Sequence, residues 1–197
     1  MQIARTLVAA AGLFALVTPA LAGSYTVDPM HSRVGFSVTH MTVSSVKGEF
    51  GTFNGTLEWD PKNVAATKAE GTVTLGSVST RDAKRDEHLK SPDFFDSIKF
   101  PEMKFVSTGV QNITPASFDL VGNLTMRGVT KPVTFKMKTP APDAKDPFYG
   151  TIKTGTTATA VIDRQAFGVS FSKALETGGL LVGNEVTIEL DLELNKK

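Results

Sequence analysis

The last segment of the chain carries the plainest pattern: Val186, Ile188, Leu190, Leu192 and Leu194 alternate with Thr187, Glu189, Asp191, Glu193 and Asn195. A period of two is that of a strand with one face buried and the other in water. Related alternation runs through Val34-Phe36-Val38, Thr56 to Trp59, Thr72 to Leu75, Phe118-Leu120-Gly122-Leu124-Met126, Val133-Phe135-Met137 and Thr156 to Ile162. Asn54-Gly55, Asp60-Pro61 and Arg127-Gly128 read as breaks between strands. About eight strands or more are predicted. No linker, repeat or low-complexity stretch separates them, so they belong to one antiparallel sheet system of an all-β domain. Closure into a barrel is the arrangement that leaves no long edge unpaired.

One interval departs from this pattern. From Thr80 to Ser97 charge is dense and β-branched residues almost vanish, which predicts two short helices. Thr80 is placed to cap the first and Ser91 the second, with Pro92 at its first helical position. Phe94 and Phe95 then point about 100° apart, so one ring enters the sheet interior while the other covers its rim.

The N-terminus reads as an address. Arg5, the apolar run Leu7 to Val17, Pro19 and then Ala20-Leu21-Ala22 form a signal peptide with a cleavage site after Ala22. The expected organisation is therefore a signal peptide over residues 1–22 and one domain over 23–197, exported to the periplasm without an integral membrane span. An outer-membrane barrel needs an outward apolar face and aromatic girdles, whereas the chain has 1 Trp and 2 Tyr.

Composition narrows the function classes. Lys and Arg number 21 against 20 Asp and Glu, so no basic excess exists to neutralise a phosphate backbone, and nucleic-acid binding is not expected. Cysteine is absent, which removes thiol catalysis, thiolate metal sites and a disulfide framework. Phenylalanine, at 13 residues, supplies most of the aromatic surface and carries no polar handle.

Chemistry is sparse. His31, His40 and His88 equal in number the smallest protein ligand set of a catalytic zinc, but they lack metal-ligand spacing, and no metal or catalytic residue is assigned. His31-Ser32 makes a poor dyad, because adjacent side chains on an extended chain diverge. The charged stretch Arg81 to His88 reads either as a solvated helix face or as a rim whose Arg81, Arg85 or His88 meets a polar head group. The phenylalanines pack a core, or they line a long apolar pocket. The sequence leaves that choice open.

At several positions the chain resembles the YceI-like, polyisoprenoid-binding proteins. The opening resemblance lies in Tyr25-Thr26-Val27-Asp28, His31-Ser32, Phe36-Ser37-Val38-Thr39-His40, Val46-Lys47-Gly48-Glu49-Phe50 and Phe53-Asn54-Gly55-Thr56-Leu57. It continues through Thr80-Arg81-Asp82, Arg85 to Ser91, Asp93-Phe94-Phe95-Asp96, Phe100-Pro101, Gly122 to Val133 and Asp163 to Gly168, which spans nearly all of the mature chain. Met41 stands where a smaller aliphatic is usual. The resemblance implies an extended, eight-stranded, lipocalin-like antiparallel barrel, often dimeric, with a short helical segment across its opening. It implies a carrier that holds an isoprenoid quinone, a polyprenyl phosphate or a fatty amide in an internal tunnel, with no cofactor and no established catalytic step. The apolar tunnel is expected from Phe36, Val38, Phe50, Phe53, Phe94, Phe95, Phe105, Phe118, Leu120, Phe135, Phe167 and Phe171, and the polar end from His31, His40, Arg81 and His88. The alternative is a metal- or quinone-linked enzyme using the three histidines.

Overall fold

The computed structural model describes residues 22–176 and 178–197. The predicted signal peptide, up to Leu21, lies outside them. In chain order the elements are β1 (Gly23–Val27), β2 (Arg33–His40), β3 (Ser44–Phe50), β4 (Phe53–Trp59), β5 (Lys68–Thr74), β6 (Val78–Ser79), α1 (Ala83–Lys90), β7 (Glu102–Gln111), β8 (Ser117–Met126), β9 (Val129–Lys138), β10 (Ala144–Lys145), β11 (Ile152–Asp163) and β12 (Val182–Lys196). All strand pairs are antiparallel, and β1, β4, β5, β7, β8, β9, β11 and β12 pair in a ring that closes through β11–β12 and β12–β1. This is an eight-stranded barrel. Its interior is just wide enough to be filled by side chains or to hold one small ligand.

Three walls extend past the ring. β2, β3 and β6 continue β1, β4 and β5 beyond short breaks, and β2 pairs with the first part of β12 while β1 pairs with its end. The breaks lie side by side, tied by Gly51 N–H donating to Ser77 O (3.1 Å) and Thr74 N–H to Thr52 O (2.9 Å). From β6 the chain must reach β7 across the open upper end, and the segment from Thr80 to Pro101 makes that crossing.

That segment holds one helix. Asp82, not Thr80, caps α1, its carboxylate accepting from Arg85 N–H at 3.1 Å. Thr80 is buried instead: its N–H and hydroxyl donate to Asp86 Oδ1 at 2.7 and 2.5 Å, and it accepts from Arg85 Nε at 2.7 Å. The second predicted helix does not form. The Ser91 hydroxyl turns back to His88 O at 2.7 Å and ends α1, and residues 92–99 follow as successive turns.

The predicted break at Asn54-Gly55 also falls elsewhere, because both residues lie inside β4. A Cβ on Gly55 would come 2.9 Å from Glu70 O on the neighbouring strand, so glycine there serves close strand approach rather than a turn. Two other glycines shape the interior. A Cβ on Gly48 would meet the Phe36 ring at 2.3 Å, and one on Gly122 the Phe105 ring at 2.3 Å. Each ring lies over its glycine, against the wall.

The lower end is filled. Trp59 stacks on Phe118 with ring centroids 5.7 Å apart and planes 9° apart, beside buried Tyr25. The Tyr25 hydroxyl donates to Asp143 Oδ1 at 2.8 Å, and Lys196 Nζ donates to the other carboxylate oxygen at 2.6 Å.

Candidate functional site

Above that plug the bore is hollow. An upper cavity of about 340 Å³ is bounded by β2, β3, α1, the crossing segment, the chain after β11 and the start of β12. A lower one of about 130 Å³ lies among β4, β5, β7, β8, β9 and β12. The upper volume falls within the usual range for small-molecule sites.

Most of the predicted apolar residues line these two spaces. Phe36, Val38, Phe50, Phe94, Phe95 and Phe171 face the upper cavity, and Phe53, Phe105, Leu120 and Phe135 the lower. Phe118 and Phe167 line neither: Phe118 belongs to the plug, and Phe167 is buried in the 3₁₀ turn Arg164–Phe167. Phe36, Phe50 and Phe95 form one chain of rings with successive centroids 5.7 Å apart. On the other side Phe94 lies 5.0 Å from Phe171, and the His88 ring meets both edge-on at 5.0 Å. Arg127, in the turn between β8 and β9, holds the crossing segment in place by donating to Pro92 O at 2.9 Å and to Phe94 O.

The two formally charged side chains described at the upper cavity, Arg85 and Arg164, are both cationic. Arg85, Arg164, His40 and His88 line it together with Thr39 and Thr80, and no carboxylate does among the described residues. His88 Nε2 pairs with Asp93 at 2.9 Å on its outer side. Arg164 is 4% exposed and spends its donors on oxygens of uncharged groups: Gly183 O at 2.8 Å, Val169 O at 2.6 Å, Val182 O at 3.1 Å and Asn184 Oδ1 at 3.4 Å. Burial pushes its pKa below the ordinary arginine value. The motif Asp163 to Gly168 contains Arg164 but gives it no role, because only the fold shows that the end of β11 turns beneath the start of β12.

His31 and Arg81 line neither cavity. Arg81 is exposed, with a left-handed φ of 65°. His31 sits on the outer wall with its side chain 61% exposed, where the break between β1 and β2 is fastened to β12. Asp28 N–H donates to Glu193 O at 2.8 Å, and Glu193 N–H donates to the Ser32 hydroxyl at 2.9 Å. Lys153 Nζ bridges Asp28 Oδ2 at 2.9 Å and Glu193 Oε1 at 2.5 Å, and His31 Nδ1 lies 3.0 Å from the same Asp28 oxygen. Hydrogen bonds from Lys153 and His31 hold the Asp28 carboxyl well below the usual carboxylate range. Ligand atoms of Asp28, His31 and Glu193 do lie within 4.8 Å of one another, but the Lys153 ammonium already supplies the cation between the two carboxylates. The residues from Asp28 to Ser32 therefore make a clasp. The three histidines do not gather into one metal-binding group among the described residues.

Comparison with known proteins agrees with this architecture. A family model described as the YceI-like domain matches residues 25–194. A UPF0312 protein of Staphylococcus aureus (strain USA300) is 36% identical over 172 residues, covering 87% of this chain and 97% of the relative. Among solved structures, Burkholderia cenocepacia BcnA superposes with a TM-score of 0.72 at 24% identity, over 85% of this chain and 98% of its own. The Campylobacter jejuni YCEI protein gives 0.67 at 28% identity, over 81% and 90%. A polyisoprenoid binding domain from Saccharophagus degradans gives 0.63 at 13% identity, over 88% and 98%, a likeness of fold.

Proposed function

From the premise that this chain belongs to the YceI-like family, we propose that it is a periplasmic carrier that binds a long amphipathic lipid inside its barrel. The observation that carries the reading is the bore itself: two apolar chambers in series above a sealed floor, with cationic and imidazole groups at the upper one alone. An isoprenoid or acyl tail gains about 0.8 kcal/mol per buried methylene-sized group, so length alone supplies affinity. Arg85, His40 and His88 suit a head that accepts hydrogen bonds, which an isoprenoid quinone, a polyprenyl phosphate and a fatty amide all possess. The name of the Saccharophagus degradans neighbour, a polyisoprenoid binding domain, supports the same ligand class. The apolar N-terminal segment supports export. Among the described residues no helix is long and apolar enough to cross a membrane.

The roles proposed for these residues are binding roles, with no catalytic step. Protein purified from its exporting host and sprayed under native conditions is expected to carry one hydrophobic molecule per barrel, released by organic extraction. Bare protein that also fails to take up geranylgeraniol would overturn the proposal.

A further inference from the structure

The two chambers share very little wall. Among the described residues, Met103 and Ile188 alone border both. Met103 lies near the start of β7, paired with Val73 of β5, and Ile188 lies in β12, paired with Phe36 of β2 and Ala160 of β11. Both are buried. They differ in stiffness: isoleucine is branched at Cβ, which restricts χ1, whereas methionine has three rotatable bonds and a soft thioether that repacks easily.

We propose that Met103 is a movable partition, opposed by the fixed Ile188, that determines how long a tail the barrel accepts. This rests on the carrier reading and adds a length rule to it. With Met103 across the bore, a short tail occupies the upper chamber of about 340 Å³ alone. A long tail displaces the thioether and enters the lower chamber, where Phe53, Phe105, Phe135 and Leu192 receive it. Binding of a long tail then depends on residue 103 far more than binding of a short one does.

The test is calorimetric titration of the full barrel with two alcohols, geraniol and geranylgeraniol, the second twice the length of the first. Met103→Trp fills the passage, and each pair of methylene-sized groups excluded from the lower chamber lowers affinity about tenfold. The wild type is expected to bind both alcohols. Met103→Trp is expected to lose at least about tenfold more affinity for geranylgeraniol than for geraniol, and an equal loss for the two alcohols overturns the partition. Ile188→Phe, which narrows the passage from the opposite wall, is expected to discriminate in the same direction and serves if the tryptophan variant does not fold. Met103→Ala is expected to bind geranylgeraniol at least as well as wild type. Undiminished geranylgeraniol binding by both narrowing variants overturns the partition and leaves the carrier intact. Uptake of neither alcohol by wild type overturns both.

Discussion

Replacing Arg164 by leucine is expected to remove about 3–5 kcal/mol of folding stability, read as a lower urea midpoint with an unchanged slope. Arg164 is 4% exposed, and its guanidinium is the donor to three carbonyls, of Val169, Val182 and Gly183. Leucine fills the stem but returns none of those bonds, and each orphaned buried acceptor costs about 1–3 kcal/mol. Val182 and Gly183 open β12, the strand that pairs with β1, β2 and β11, so the loss falls on the seam of the barrel. Arg164→Lys is expected to recover only part, because a lysine ammonium cannot reproduce the planar fork that reaches two sides at once. A shift under about 1 kcal/mol for the leucine variant, within the range of an ordinary surface change, would show that the buried cation does not organise the upper end.

The second large effect concerns acid. Asp28→Asn is expected to cost about 2 kcal/mol near neutral pH, where hydrogen bonds from a charged donor to a carboxylate are strongest. The Asp28 carboxyl is held below its ordinary value first by Lys153, then by His31 and the Met30 N–H. Its folded form therefore binds a proton less readily than its unfolded form. The stabilisation it provides is complete above about pH 4 and is lost as pH falls through the folded value. Lys153 is raised by its two carboxylate partners, so its side of the clasp persists below the ordinary lysine value and fails only in strong alkali. Urea midpoints measured from about pH 6 down to about pH 2 should fall more steeply for wild type than for Asp28→Asn. Parallel curves would show that the clasp is not the titrating element.

Strands with three or more large apolar residues on the inward face were legible from alternation alone. β8, β9 and β12 are of this kind, since their inward residues run Phe118-Leu120-Gly122-Leu124-Met126, Val133-Phe135-Met137 and Val186-Ile188-Leu190-Leu192-Leu194. β3 and β7 were not. In β3 only Val46 and Phe50 are apolar on the inward face, with Gly48 between them under the Phe36 ring, and two apolar positions are too few to show an alternation. In β7 the register shifts between Ser107 and Gly109, and the period slips with it. Asn54-Gly55 has the composition of a turn and the environment of a strand interior. Ser91 has the composition of a helix start, yet its hydroxyl ends the helix before it.

The site divides in the same way. Phe36 and Phe135 were legible as lining residues because inward position follows from strand parity, whereas Phe94, Phe95 and Phe171 lie outside the strands, where parity says nothing. The meaning of Arg164, Met103 and His31 depends on which strands become neighbours. His31 belongs to the clasp because β12 passes beneath the break between β1 and β2, and Met103 divides the chambers because β12 places Ile188 at the same level of the bore. Whether the rings fill the barrel or stand against its walls is set by the glycines opposite them. Those pairings exist only once the register is fixed.

An electron-density map of the protein as purified from its exporting host tests the central claim most directly. A hollow barrel that carries a lipid predicts tubular density entering past His40 and His88 and descending through the upper chamber toward Met103. Side chains packed wall to wall across both chambers, with no occupant and no room for one, would contradict it.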